Sequence, residues 1–210
     1  SSSSTMADTF GFEGMSNPAM ILDLQKRMNY DTQIFGNAAL TFHLHDGLDL
    51  KTQFGVDNHN KTYRGYSSIS LNNISMPNGW AAISHTNTLY WQEETYLTYN
   101  KVFGVHRLNT MAGLSWGERT YNYDSSYTEG FSDDFFEWNN MGAGTTPSSP
   151  SSDFNKWSMN SYFLRLAYTY KDKYSATMTG RYDGSSKFGE NNKYAFFPSA
   201  GLAWNVSQED

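Results

Sequence analysis

The feature that most narrows what this chain can fold into is a strict two-residue alternation over residues 161–210. Tyr162, Leu164, Leu166, Tyr168 and Tyr170 share one parity, with Arg165, Ala167 and Thr169 between them. After Lys171, Asp172 and Lys173 the pattern returns, with Tyr174, Ala176, Met178, Gly180 and Tyr182 set against Ser175, Thr177, Thr179, Arg181 and Asp183. A polar connection spans 184–193. A third segment then sets Phe196, Pro198, Ala200, Leu202, Trp204 and Val206 against Phe197, Ser199, Gly201, Ala203 and Asn205. Successive side chains on a strand point to opposite faces, so each segment is predicted to be a strand with one apolar and one wet face. Tyr and Trp gather near the tight connections. That arrangement suits lipid on one side and water on the other.

Four earlier strands follow from the same pattern. Ile34, Gly36, Ala38, Leu40, Phe42 and Leu44 alternate with polar residues up to Asp46-Gly47, a strong two-residue hairpin signal. Leu48, Leu50, Thr52, Phe54 and Val56 form the return strand. A third strand is expected over 86–102 and a fourth over 106–119, with Leu108, Thr110, Ala112, Leu114 and Trp116 on its apolar face. The connections alternate short and long: 46–47, then 58–80; 101–105, then 121–160; 171–173, then 184–193. Residues 1–30 read as an outer loop leading into the first strand. Outer-membrane barrels keep turns at the periplasmic end and long loops outside. Seven strands do not close a barrel of this type, and an unpaired edge in lipid costs several kcal/mol per backbone group. The chain is therefore expected to be part of one larger barrel domain.

Composition agrees. The hydrophobic share is 38% and the mean hydropathy is −0.65. Both are too low for helical membrane spans but suit a barrel, which needs only half of each strand apolar. Aromatic residues reach 17%, enough for girdles or sugar-stacking surfaces. The net charge of −6 and scattered basic residues argue against nucleic-acid binding. Cysteine is absent, so no disulfide framework is present. Residues 1–5 lack the basic and apolar regions of a signal peptide, which implies that the exported product is longer.

The wording of the C-terminal stretch is distinctive. Tyr162-Phe163 with Arg165, Asp183-Gly184-Ser185-Ser186-Lys187-Phe188-Gly189, Asn192-Lys193-Tyr194, and Phe197-Pro198-Ser199-Ala200 run in one order, closed by Trp204 and Ser207. Shorter pieces precede it: Asn17-Pro18, Phe54-Gly55-Val56-Asp57, Leu97-Thr98-Tyr99-Asn100-Lys101, and Glu137-Trp138-Asn139-Asn140 with Gly142-Ala143-Gly144. Together these resemble the barrel of SusC/RagA-type TonB-dependent outer-membrane transporters, from about residue 17 onward. The resemblance implies an all-β, antiparallel transmembrane barrel wall, about seven strands of a barrel of some 22, filled elsewhere by a plug. It implies location in the bacterial outer membrane and energised import of a large nutrient, an oligosaccharide or alternatively an oligopeptide. It also implies a SusD-like surface lipoprotein, a TonB complex acting through the plug, and no cofactor.

Several residues are candidates for substrate contact. Phe135, Phe136 and Trp138 stand beside Asn139 in the longest connection. Aromatic faces beside amides suit sugar rings, while packing of the loop's own core is the competing role. Arg165, Arg181 and Asp183 are expected on the barrel's inner face, lining the path or pairing with the plug or neighbouring strands. His43 and His45 share a face but complete no metal motif. Asp133, Asp134 and Glu137 lack EF-hand spacing and read as a solvated acidic loop. Glu93 shares parity with Leu89, Trp91, Leu97 and Tyr99. Either a β-bulge shifts the pattern there or the upper strand stands clear of the membrane. No catalytic motif is present, and Glu93 and Glu94 face opposite sides, so an enzyme is not expected. The competing class is a soluble all-β carbohydrate-binding module, which would hide Leu40, Phe54, Leu108, Leu166 and Leu202 in a dry core.

Overall fold

The alternating segments form one sheet. The computed structural model describes residues 18–71, 78–189 and 193–208; Asn17, Asn192 and residues 1–16 lie outside these. A short helix α1 (Pro18–Leu24) leads into β1 (Gln25–His45), β2 (Leu48–Ser67), β3 (Trp80–Phe103) and β4 (His106–Glu129). The two-residue β5 (Thr146–Pro147) precedes β6 (Ser151–Tyr170), β7 (Tyr174–Ser185) and β8 (Tyr194–Trp204). The sheet order is β1-β2-β3-β4-β6-β7-β8, with β5 paired to β4. Neighbours in space are neighbours in sequence, as in a meander.

The seven long strands are those the alternation predicts, but the three longest expected connections are shorter. β1 begins at Gln25, within the expected 1–30 loop. β2 continues to Ser67, so the connection expected over 58–80 shrinks to 68–79. β4 runs to Glu129 and β6 starts at Ser151, which cuts the expected 121–160 loop to 130–150. The added lengths are mostly polar and lack a sustained aliphatic alternation, although Tyr66, Ala81 and Ile83 among them enter a small core. Asn87 Nδ2 donates to Asn60 Oδ1 at 2.6 Å, and Thr62 Oγ1 lies 3.1 Å from His85 Nδ1. A ladder pairs backbone groups whatever the side chains, while the alternation is visible only where one face is apolar.

The chain packs as two compact units. One comprises residues 34–58, 89–120 and 155–210 and holds the three tight turns. Gly47 has φ of 75° at the first turn, and its carbonyl accepts from the Asn100 N–H at 2.7 Å. Lys101 Nζ reaches Asp46 Oδ2 at 2.8 Å, and that hydrogen bond and charge hold the Asp46 carboxyl below the usual range. Gly104 sits at φ 59° in the second turn. In the third, Lys171 and Asp172 are left-handed at 52° and 54°, and the Lys173 N–H bonds to the Tyr170 carbonyl at 3.0 Å. No hydrophobic side chain of this unit is buried among the described residues.

The other unit comprises residues 1–33, 59–88 and 121–154 and carries the buried apolar residues. Tyr66, Ala81, Phe131 and Trp138 form its core, with Ile69, Ile83 and Met141 against it. The Tyr66 and Phe131 rings meet edge to face at 5.6 Å. The Phe131 N–H bonds to the Asn78 carbonyl at 2.9 Å, which ties the two long connections together.

Gly47 gives a direct test of the turn geometry. A Cβ there would lie 2.0 Å from the Asn100 carbonyl oxygen, at a φ that β-branched residues avoid. Gly47→Val in the full-length parent is expected to reduce the folded fraction sharply, read as loss of the heat-modifiable band on gels. Val at Gly36, where nothing lies within 4 Å, should be tolerated.

Candidate functional site

The most organised surface is the apolar face of β6, β7 and β8. Backbone register aligns its residues in five cross-strand rows. Tyr162, Tyr182 and Phe196 form the first; Leu164, Gly180 and Pro198 the second; and Leu166, Met178 and Ala200 the third. Tyr168, Ala176 and Leu202 follow, then Tyr170, Tyr174 and Trp204. Both end rows are aromatic and the rows between are mostly aliphatic. The eight steps from Tyr162 to Tyr170 span about 27 Å along the strand, or roughly 21 Å at a 40° tilt, close to the ~25 Å apolar band of a transmembrane barrel. Adjacent rings continue the turn-side row onto β3 and β4, with Phe103 and His106 stacked at 5.4 Å and His106 tilted against Tyr170 at 5.2 Å.

This face is open. Leu202 is 90% and Leu40 62% exposed, and Phe54 and Leu166 are exposed as well. All strands belong to one sheet; no second layer covers these residues among those described. The dry core that a soluble sandwich needs is therefore absent from this face.

The opposite parity carries the polar residues. Arg181 Nε donates to both oxygens of Asp183 at 2.7 and 2.9 Å, and its Nη2 donates to the buried Ser161 Oγ at 3.1 Å. Arg181 and Asp183 thus hold each other, with Phe163 and Phe197 on either side of Arg181 in register. Arg165 is exposed, opposite Thr179, which in turn faces Ser199.

Glu93 keeps its expected parity. Phe54 and Trp91 stack at 6.1 Å, while Glu93 Oε1 accepts from Thr95 Oγ1 at 2.5 Å and Thr52 Oγ1 at 3.2 Å. Tyr90, Gln92 and Glu94 bond to one another on the other face. Alternation holds through Glu93 and Glu94, so no bulge shifts it. Glu93 also stands ten steps from the aromatic row at Phe103, about 34 Å along the strand and beyond the eight-step band. Its charge meets hydroxyl donors there.

In the other unit the 130–143 segment divides its aromatic residues. Trp138, 8% exposed, and Phe131 belong to the core. Phe135, 82% exposed, and Phe136 face outward as an edge-to-face pair at 4.8 Å. Asn139 is exposed beside them, its N–H on the Phe136 carbonyl at 2.8 Å. The acidic residues do not converge. Asp134 accepts from Tyr66 Oη at 2.6 Å, Ser68 Oγ at 2.7 Å and the Ile69 N–H at 2.9 Å. Glu137 pairs with Lys26, and Asp133 takes the Phe135 N–H at 3.0 Å. The expected solvated cluster is thus a set of separate anchors, with Asp134 half-buried. Its partners come from the end of β2 and the connection after it, so spacing within 130–143 carried no sign of them. His43 likewise pairs with Asp49, at 2.6 Å across the first hairpin. No group of three metal-ligating residues occurs among the described residues.

Known proteins share this arrangement. The family described as TonB dependent receptor-like, beta-barrel, matches residues 6–209, and the chain belongs to it. TonB-dependent receptor P3 of Formosa agariphila is 36% identical over 165 residues, covering 79% of this chain and 16% of that protein. TonB-dependent receptor SusC of Bacteroides thetaiotaomicron is 25% identical over 197 residues, covering 92% of this chain and 19% of SusC. Among solved structures, the RagAB peptide transporter superposes with a TM-score of 0.85 at 21% identity, over 90% of this chain and 21% of that one. The chain thus spans about a fifth or less of the relatives it matches. Its sheet is a segment of such a barrel wall.

The two faces differ in what they tolerate. Leu166→Arg, in the middle row, is expected to cost about 2–4 kcal/mol of barrel stability in lipid, whereas Thr177→Arg on the wet face should cost little. Urea unfolding of the full-length parent in vesicles reads the difference. Asp134 yields a pH prediction. Burial raises its carboxyl, but the bonds from Ser68, Tyr66 and Ile69 and the nearby Lys26 outweigh this and hold it below the usual range. A depressed folded value stabilises the segment above the unfolded value near 4 and loses that contribution as pH falls through the folded one. Hydrogen exchange of residues 130–140 should be protected from pH 5 to 8 and loosen only below about 4. In Asp134→Ala it should be loose throughout, by about 1–3 kcal/mol.

Proposed function

We propose that this chain is wall and outer loop of a bacterial outer-membrane transporter that imports an oligosaccharide by TonB-driven transport. The observation that carries the reading is the open apolar band of β6–β8 between two aromatic rows, with a hydrogen-bonded polar face behind it. Lipid outside and a watered interior satisfy both faces at once. The energy-coupling step belongs to a plug and a TonB complex, and a SusD-like surface lipoprotein closes the outer mouth. Family membership and the likeness to SusC support these partners.

The substrate reading rests on chemistry at the outer connection and the wet face. Phe135 and Phe136 offer exposed rings beside Asn139, the combination that stacks on sugar C–H faces and bonds to hydroxyls. Arg165, on the wet face, is placed to meet passing substrate. Arg181 and Asp183, already paired, keep that wall neutral and rigid. Trp138 supports the presenting segment from its core. Peptide import is the second reading, favoured by the fold shared with the RagAB peptide transporter.

Extraction of the full-length parent from native outer membranes in mild detergent tests this. A stoichiometric surface lipoprotein should co-purify, and the complex should bind oligosaccharides. Binding of peptides alone would replace the substrate class, and a barrel that purifies without a lipoprotein would remove the lidded assembly.

A further inference from the structure

A cleft of about 590 Å³, within the range of small-ligand sites, lies over β1, β2 and β3. It lies within the unit that carries the apolar band. From β3 it takes Tyr90, Gln92 and Glu94, the face opposite Trp91 and Glu93. From β2 it takes Gln53, Gly55 and Asp57, and Phe35 borders it on β1.

The cleft exists because a side chain is missing from its floor. A Cβ at Gly55, on the same face as Gln53 and Asp57, would meet only the Gly36 carbonyl oxygen, at 4.0 Å. The wall above is a directed chain of hydrogen bonds. Tyr90 Oη donates to Gln92 Oε1 at 2.7 Å, Gln92 Nε2 donates to Glu94 Oε1 at 2.5 Å, and Gln53 Nε2 donates to Glu94 Oε2. Each Glu94 oxygen therefore holds one amide donor. An ionised carboxylate accepts about four hydrogen bonds, which leaves room for two more donors. Glu94 is thus the carboxylate a ligand meets, and no Lys, Arg or His lines the cleft among the described residues. The Phe35 ring is 80% exposed.

A ligand that fits must bring hydroxyl donors and an apolar ring face, and must not bring negative charge. We propose that this cleft binds a neutral saccharide unit, stacked on Phe35 or Tyr90 with hydroxyls donating to Glu94, and that it excludes anionic substrates. The inference rests on the import reading above and narrows its substrate class. Gly55 supplies the space, Gln53 and Gln92 hold the Glu94 carboxylate in place, and Tyr90 orients Gln92.

The test is calorimetry on the full-length transporter with its co-purifying partner. The probes are neutral hexose and pentose oligosaccharides, uronic-acid oligosaccharides of matched length, and short peptides. Neutral oligosaccharides should bind at least tenfold more tightly than their acidic counterparts. Gly55→Trp should weaken the neutral ligand at least tenfold, and Glu94→Gln by about tenfold. Folding of each variant is checked by heat-modifiable mobility. Should Gly55→Trp fail to fold, Glu94→Lys decides, since it should narrow the gap between neutral and acidic ligands. Equal binding of the acidic series, or neutral binding unchanged in the folded variants, overturns the cleft assignment while leaving oligosaccharide import standing. Binding of peptides and no oligosaccharide overturns the import reading on which it rests.

Discussion

An apolar sheet face with no protein over it governs the rest of the structure. Polar backbone groups in lipid find no water, so strands there must pair along their whole length and every side chain on the outer parity must tolerate hydrocarbon. Cross-strand register achieves this in β6, β7 and β8 by aligning like with like: aliphatic rows in the middle, aromatic rows at both ends. A one-residue slip of β6 would turn Arg165 outward, and one of β7 would turn Arg181 and Asp183 outward. The left-handed residues of the tight turns therefore matter beyond their own geometry, because they set the register of the strands they join.

The wet face follows a different rule. It need not exclude water, so it can hold charges if they are organised. Arg181 and Asp183 neutralise each other above Ser161, while Tyr90, Gln92, Gln53 and Glu94 form a chain that fixes one carboxylate. Fixed polar groups beside glycine-made space are what a recognition surface needs, since ordering is then complete before a ligand arrives. The unit with the dry core solves a separate problem. Tyr66, Phe131 and Trp138 give a long connection a small interior, and the Asp134 carboxylate ties it to the neighbouring connection.

Much of this was legible in the sequence wherever one face is apolar. The alternation in residues 161–204 located β6–β8 and their faces, though Val206, expected on the third strand, lies in a short helical turn after it, and Asp46-Gly47 located the first hairpin. It failed where aliphatic residues run out: residues 58–67, 120–129 and 151–160 are mostly polar with scattered aromatics, yet their backbones pair. The outer segment was half legible. Its aromatic richness pointed to Phe135 and Phe136, but neither Trp138's place in the core nor Asp134's partners could be read locally, because Tyr66, Ser68 and Ile69 are more than sixty residues away in sequence. The cleft was missed because its main determinant is the absence of a side chain at Gly55.

The most direct test of the central claim is depth-resolved accessibility. Nitroxide labels placed singly at 166, 178 and 200, and at 167, 177 and 179, in the full-length parent reconstituted in vesicles would report oxygen and water-soluble relaxation agents separately. The first set should contact hydrocarbon and exclude the water-soluble agent, and the second should show the reverse. Equal access of the water-soluble agent to both sets would contradict a lipid-facing wall.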